Sequence, residues 1–444
     1  MKKLFLILGV FIGAIVLTVA ILLMFTPVPT IVTGVAVKRA CSCHFLAKRS
    51  PDFIASNENN YSFIKFAKIK YNAKRKTATA TFLGFGKLTA VYREGLGCAI
   101  VTKDSPLDVT SKLSFQIPST TLAPDVSVAN NDITPKYDKE RLDQVVNQAF
   151  EGEKRTSAVV IVKNGQIIGE KYGAGIDQNS LLLGWSMTKS ITSTMAGILT
   201  QKGMIDINKP VDIPEWQDDD RSKITWNNLL QMSSGLDWDE NYFWISDVTK
   251  MLAMRGDMYK YAIQSPMKYP PNESFKYSSG TTNIVSGLQR RQFSDIKDYL
   301  AFPYQELFHK IGMNSAVMEP DASGTFVGSS YCYATTRDWA KFGMLYLNDG
   351  EWEGVRILPA GWAAYTSTPA PNSNGVYGSS FWLNAGGQYP DAPREAYGAQ
   401  GFQGQYVYIV PSADLVIVRM GTGIGDFDFN EFLTAVVEAC KVKI

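Results

Sequence analysis

Hydrophobic and polar positions divide the chain into stretches of different period. Lys2 and Lys3 precede an uncharged apolar run from Leu4 to Phe25, about as long as a helix needs to cross a bilayer. Short β-like runs follow at Ala78–Phe82, Leu88–Tyr92 and Cys98–Val101. A polar stretch with scattered prolines then reads as linker. An amphipathic helix is predicted over about Asp138 to Phe150. Next comes a hairpin in which Ala158–Lys163 and Gln166–Lys171 flank Asn164-Gly165, a strong two-residue turn signal. The apolar, small-residue run Ile191 to Leu199 predicts a buried helix. A helical piece is expected at Trp226–Met232, a second hairpin at Gln405–Val410 and Leu415–Arg419, and a closing helix from Phe429 to Val442. Hairpins at both ends of the body with helices between predict a mixed α/β (α+β) fold. In it one antiparallel sheet is flanked by helices and interrupted by a helical insert. The expected division is a membrane anchor or signal at 1–26, a small β-containing region at 27–105, a linker at 106–136 and the main body at 137–444.

Composition narrows the function. The 444 residues are 45% apolar and 12% aromatic, which is globular, and the net charge of +2 with no basic run leaves no footprint for nucleic acid. Two histidines occur, His44 and His309, neither beside an Asp- or Ser-bearing motif. A Ser-His-Asp hydrolase and a His-based zinc site are both disfavoured, and no metal or cofactor is expected. The run Asp218-Asp219-Asp220 reads as a solvated loop. The apolar run at the N-terminus ends in Leu22-Leu23-Met24-Phe25-Thr26-Pro27 without an A-x-A cleavage pattern, which favours an uncleaved anchor over a removed signal. Lys38 and Arg39 beyond the run offset Lys2 and Lys3, so orientation rests partly on the cysteines. An exported body agrees with a disulfide from Cys41 or Cys43 to Cys98.

The candidate chemistry lies in Gly184-Trp185-Ser186-Met187-Thr188-Lys189-Ser190. Ser-x-x-Lys occurs four times, at Ser62/Lys65, Ser186/Lys189, Ser265/Lys268 and Ser294/Lys297. Ser265 precedes a proline, Ser62 lies in a strand-like, Lys-rich alternation, and Ser294 has polar surroundings. Ser186 alone opens a long apolar helix after a Gly-Trp turn. Residues three apart share a helix face, so Lys189 can meet Ser186. A serine hydroxyl needs an adjacent base, and a lysine serves only if burial or a neighbouring cation lowers its pKa.

Three elements in this order resemble the serine β-lactamase and penicillin-binding-protein superfamily, in its class C-like branch of esterases and 6-aminohexanoate-dimer hydrolases. They are Ser186-Met-Thr-Lys189, Tyr277-Ser278-Ser279 at a Tyr-x-Asn position, and Ala399-Gln400-Gly401 where relatives carry Lys-Thr-Gly, His-x-Gly or Trp-x-Gly. The phrases Met232–Trp238, Arg337–Gly343 and Leu345–Gly350 look like the same group. The resemblance covers about residues 137–444 and implies a β-lactamase/transpeptidase-like fold. It implies that Ser186 is the acylated nucleophile, with Lys189 and Tyr277 as its acid/base pair. The backbone N–H groups of Ser186 and Phe402 would form the oxyanion hole. Tyr242, Ser279, Gln400 and Gly401 would contact a small ester or amide substrate. Ser279 stands where many relatives have asparagine, and Ala399 replaces a cation, which weakens recognition of an anionic antibiotic. The expectation is therefore a serine esterase or amidase. A cell-wall peptide carboxypeptidase or β-lactamase-type enzyme, and a silent binding or sensor domain, are the alternatives.

Overall fold

The computed structural model describes residues 2–105, 115–118, 137–423 and 425–441. The linker expected at 106–136 therefore lies, apart from 115–118, outside the described residues.

Helix α1 spans Lys2–Phe25 and is followed by α2, Val28–Cys41. Within α1 the side chains at 2, 6, 12, 15–17 and 19–22 are not among those described. Among the described residues no helix is long and apolar enough to cross a membrane. The expected N-terminal anchor thus has no support as a span in the fold itself.

The segment before the first strand forms a helix that the sequence reading did not foresee. The β-branched residues of Ile31-Val32-Thr33 and Val35-Ala36-Val37 favour strand, yet α2 is helical and buried along most of its length. Burial on several sides removes the alternation that would mark an exposed face. One side of α2 packs on a four-stranded antiparallel sheet, β1 (Ala67–Asn72), β2 (Thr77–Phe82), β3 (Phe85–Arg93) and β4 (Gly97–Val101), paired in sequence order. Val37, Cys41, Ala78, Ala80, Ala90 and Cys98 form its core, closed by the Cys41–Cys98 disulfide. Of the two pairings left open by the sequence, this is the one formed; Cys43 is free and buried. Ser62 lies in a short 3₁₀ turn, Ser62–Phe66, and not in a strand.

Glu319 fastens this region to the body. Its carboxylate is fully buried and accepts from Lys38 Nζ (2.5 Å), Ser42 Oγ (2.7 Å) and the Cys98 backbone N–H (2.6 Å). Burial pushes the Lys38 amine down while Glu319 pushes it up, with burial dominant. A buried ion pair is costly to break, since one partner would be left charged without water.

The body begins with α3, Lys139–Gln148, capped by Asp138. Strands β5 (Thr156–Lys163) and β6 (Gln166–Tyr172) form the expected hairpin, with φ +48° at Asn164 and +74° at Gly165. The central helix α4, Met187–Gln201, and helices α5 (Asp247–Met254), α6 (Ser279–Arg290) and α7 (Thr336–Leu347) come before the chain returns to the sheet. Strands β7 (Trp382–Leu383), β8 (Tyr397–Gly401), β9 (Gln405–Val410) and β10 (Leu415–Gly421) complete it, and α8 (Phe429–Cys440) closes the chain. The order is β7-β8-β9-β10-β5-β6, so the terminal hairpin adds directly to the first one. This is the interrupted antiparallel sheet that the sequence predicts. One face of it carries α3 and α8; the other carries α4 and α7.

Helix α4 is buried from Met187 to Leu199, although it holds many hydroxyls. Each finds a partner: Ser190 Oγ donates to Ser380 O, Thr192 Oγ1 to Gly328 O, and Thr194 Oγ1 bonds with the Tyr346 hydroxyl. These bonds keep a polar helix in an apolar interior without orphaned groups.

Candidate active site

Trp185 takes φ +49°, a left-handed value unusual for a bulky side chain. This sharp turn places Ser186 at the N-cap of α4, half-buried and open to a ligand. Lys189 lies one turn on, 1% exposed. Its Nζ donates to Ser186 Oγ (3.1 Å), Ser279 Oγ (3.1 Å) and Ser329 O (2.9 Å). Burial lowers the Lys189 amine from 10.5 to about 8, against a smaller upward pull from Glu240. A lysine with that pKa is partly neutral near neutrality and can accept a proton.

Tyr277 precedes α6, whose N-cap Ser278 accepts from Thr281 N–H. Its ring sits 4.8 Å from Lys189 Nζ and packs on Tyr377 and Trp382. Burial, then Glu240, raise the Tyr277 pKa well above the usual value, against a smaller lowering by Ser186. Tyr277 is thus held as a neutral phenol able to give and regain a proton. Two helix starts far apart in sequence bring Ser186, Lys189 and Tyr277 together.

Glu240 is the part of the site that the sequence does not announce. Its carboxylate accepts from Ser279 Oγ (2.6 Å), Ser279 N–H (2.9 Å), Tyr242 OH (2.9 Å) and Trp238 Nε1 (2.6 Å). Tyr242 also bonds to Ser279 Oγ (2.9 Å). The network runs Ser186, Lys189, Ser279, then Glu240 and Tyr242. Its only sequence signal is the acid two residues before Tyr242, inside Trp238-Asp-Glu-Asn-Tyr.

The opposite wall is the β8–β9 turn. Gly401 lies against the Gly184 carbonyl and the Trp185 side chain, so closely that a Cβ there would collide with the Gly184 oxygen. That approach brings Phe402 beside the Ser186 turn. Its ring is edge-on to Trp185 at 5.7 Å and stacked with Tyr242 at 6.1 Å. Arg419 Nη1 donates to Gly404 O, Gln405 Nε2 to Phe402 O, and Arg39 Nη2 of α2 to Gln403 Oε1 (2.6 Å). Gln400 departs from expectation. Strand alternation sends its side chain to the other face of the sheet, where its amide donates to the Tyr389 and Tyr408 hydroxyls, and not toward Ser186. Ala399 is buried and presents only a methyl group to the core.

The remaining Ser-x-x-Lys pairs and both histidines lie outside this network. Ser265 O accepts from Arg221, while His44 bonds to Arg49 O and packs against Tyr71.

Comparison with known proteins bears on the family and the fold. The β-lactamase family model matches residues 142–438. The 6-aminohexanoate-dimer hydrolase of Paenarthrobacter ureafaciens is 24% identical over 333 residues, covering 68% of this chain and 83% of that protein. Among solved structures, a Bacillus anthracis protein provisionally assigned as a 6-aminohexanoate-dimer hydrolase superposes with a TM-score of 0.57 at 19% identity. It covers 87% of this chain and 93% of its own, a share that residues 142–444 alone could not supply. A family VIII carboxylesterase superposes with a TM-score of 0.55 at 16% identity, over 71% of this chain and 98% of its own.

Proposed function

Because the chain belongs to the β-lactamase family and is a hydrolase of that fold, we propose that it cleaves esters or linear amides through an acyl-enzyme on Ser186. The observation that carries this reading is the 3.1 Å contact between Ser186 Oγ and a buried Lys189 Nζ whose pKa is about 8. Ser186 Oγ attacks the substrate carbonyl carbon as its proton passes to neutral Lys189. The developing oxyanion accepts from the N–H groups of Ser186 and Phe402. As the tetrahedral carbon collapses, the proton reaches the leaving oxygen or nitrogen by way of Tyr277. Water then adds to the acyl-enzyme with the same groups in reverse order, releasing acid and restoring Ser186 Oγ–H. Tyr242, Ser279 and Gly401 border the substrate's position.

Preference for esters or linear amides over β-lactams is supported by Ala399, whose buried methyl offers no cation to an antibiotic carboxylate. A chromogenic cephalosporin should turn over far more slowly than p-nitrophenyl acetate; comparable rates would remove this preference. The central test is a fluorophosphonate probe combined with p-nitrophenyl ester turnover. Ser186→Ala should lose both while remaining folded, and labelling that persists or maps to Ser62, Ser265 or Ser294 would defeat the assignment.

The reading extends to place. α1 is proposed as a membrane anchor with the body on the exported side. Its support is a 24-residue helix with Leu4, Phe5, Ile7, Val10, Phe11 and Phe25 exposed, which water alone would solvate poorly. The Cys41–Cys98 bond fits an oxidising compartment.

A further inference from the structure

A cavity of about 120 Å³ lies behind Trp185, between the body and the N-terminal region. Trp185, Tyr242 and Phe402 line it; Trp185 precedes Ser186 in the chain, and the Phe402 ring touches both other rings, so these three residues link the cavity to the Ser186 turn although Ser186 itself is not in its lining. Its far wall comes from outside the family-matched segment: Val28, Ile31, Val32 and Val35 of α2, with Phe63 and Ile64 of the 3₁₀ turn. The two cations at its edge are engaged, Lys38 by Glu319 and Arg39 by Gln403 and the Glu58 carbonyl. The rest of the lining is mainly apolar, with Ser62, Thr249 and four tyrosines as its polar members.

We propose that this cavity receives the unbranched acyl chain of an amphiphilic, lipid-like ester or amide, and that α2 thereby sets the acyl specificity of the enzyme. The inference rests on the serine hydrolase reading above. Three observations assign the acyl part and not the leaving group. The leaving atom must lie next to its proton donor, yet neither Tyr277 nor Lys189 lines the cavity. Phe402, whose N–H would hold the carbonyl oxygen, does line it. The Tyr277 ring instead packs on Tyr377 and Trp382, which also do not.

The mouth fits an amphiphile as well. Phe63, Phe243 and Trp244 line the cavity and are each more than half exposed. Val28 follows closely on the last residue of α1, and Leu23 of α1 packs on the cluster formed by Val32, Ala36, Ile64 and Phe82. The opening therefore adjoins the end of the apolar N-terminal helix, where a chain partitioned into a lipid surface would be presented.

The test is a series of p-nitrophenyl esters, from acetate through butyrate and hexanoate to octanoate, hydrolysed by the full chain. Burial of successive methylenes predicts that kcat/KM rises about threefold to fourfold per methylene over the first several. Val28→Phe and Val35→Phe fill the cavity from half-buried positions and should flatten that series. The octanoate-to-acetate ratio is read within each variant, so that partial loss of active protein cancels. Calorimetric titration of Ser186→Ala with octanoate provides a readout independent of turnover: binding is expected, and its loss when Val35→Phe is added. A flat series in the unmodified chain with ester turnover intact, or a rising series that both variants leave unchanged, overturns the cavity's role and leaves the serine hydrolase standing. Absence of turnover and of fluorophosphonate labelling overturns the hydrolase reading instead, and the octanoate titration still decides whether the cavity takes an acyl chain.

Discussion

Between the Glu240 carboxylate and Lys189 Nζ stands only the hydroxyl of Ser279. Burial alone would drive the lysine further toward neutrality; the nearby negative charge holds it at about 8. A base must be unprotonated to accept the serine proton, so kcat/KM for p-nitrophenyl acetate should rise with pH through about 8. Glu240→Gln removes the charge that raises the lysine's pKa, and the midpoint of that limb should move to lower pH. A midpoint that stays put or moves alkaline would show that Glu240 does not act on Lys189. Lys189→Ala and Tyr277→Phe should each lower kcat on the order of a hundredfold, the range for removing a general acid–base group. Their effects should fall short of additive because both serve one proton. Lys189→Arg should not restore turnover, since arginine stays protonated. For the same coupling, the alkaline limb belongs to the Lys189–Tyr277 pair and not to one residue.

At the scale of elements, the proposed active site is the meeting of two tight turns, one before α4 and one between β8 and β9. Gly401 allows the meeting because the Gly184 carbonyl occupies the space a side chain would need. Gly401→Ala should displace the Phe402 N–H and lower kcat on the order of a hundredfold or more, as loss of one oxyanion donor does. Near-native kcat with an unchanged KM would mean that Phe402 is not a donor. These elements are legible in sequence for local reasons. Asn164-Gly165 dictates a left-handed turn, Gln405–Val410 and Leu415–Arg419 are runs of β-branched and aromatic residues around a turn, and Ile191–Leu199 is a run of apolar and small residues that suits a buried helix. Glu240 is not legible, because an acid in a loop looks solvated until the fold sets Ser279 and Trp238 against it. Gln400 misleads because motif proximity to Gly401 hides strand alternation. Helix α2 escapes because its valines and threonine favour strand, and only tertiary burial makes them helical. Gly34 permits the close contact of α2 with Ala253 on α5, a constraint invisible without the partner.

For the molecule as a whole, the two N-terminal helices are expected to differ in what the fold needs of them. α1 supplies no group to the network around Ser186 and makes its described core contact through Leu23. α2 contributes Val32, Ala36, Val37, Ala40 and Cys41 to buried clusters, and its Lys38 neutralises Glu319. Full-length protein should accordingly stay with membranes through a high-salt wash. Deletion of residues 1–26 should release it with ester turnover retained, since α2 and its contacts remain. Deletion of residues 1–60 should not give a stable enzyme: it exposes the apolar faces that α2 covers, opens the cavity, removes Arg39 from Gln403 and leaves Glu319 buried without its cation. Lys38→Ala isolates the last of these effects, leaving Glu319 buried without its counter-ion, at a cost of about 3–5 kcal/mol. Thermal unfolding of the three proteins, followed alongside p-nitrophenyl acetate turnover, separates the contributions. If the chain lacking residues 1–60 melted at the temperature of the chain lacking 1–26 and kept its turnover, α2 would be ornamental to the fold, and the ion pair at Glu319 would hold nothing in place.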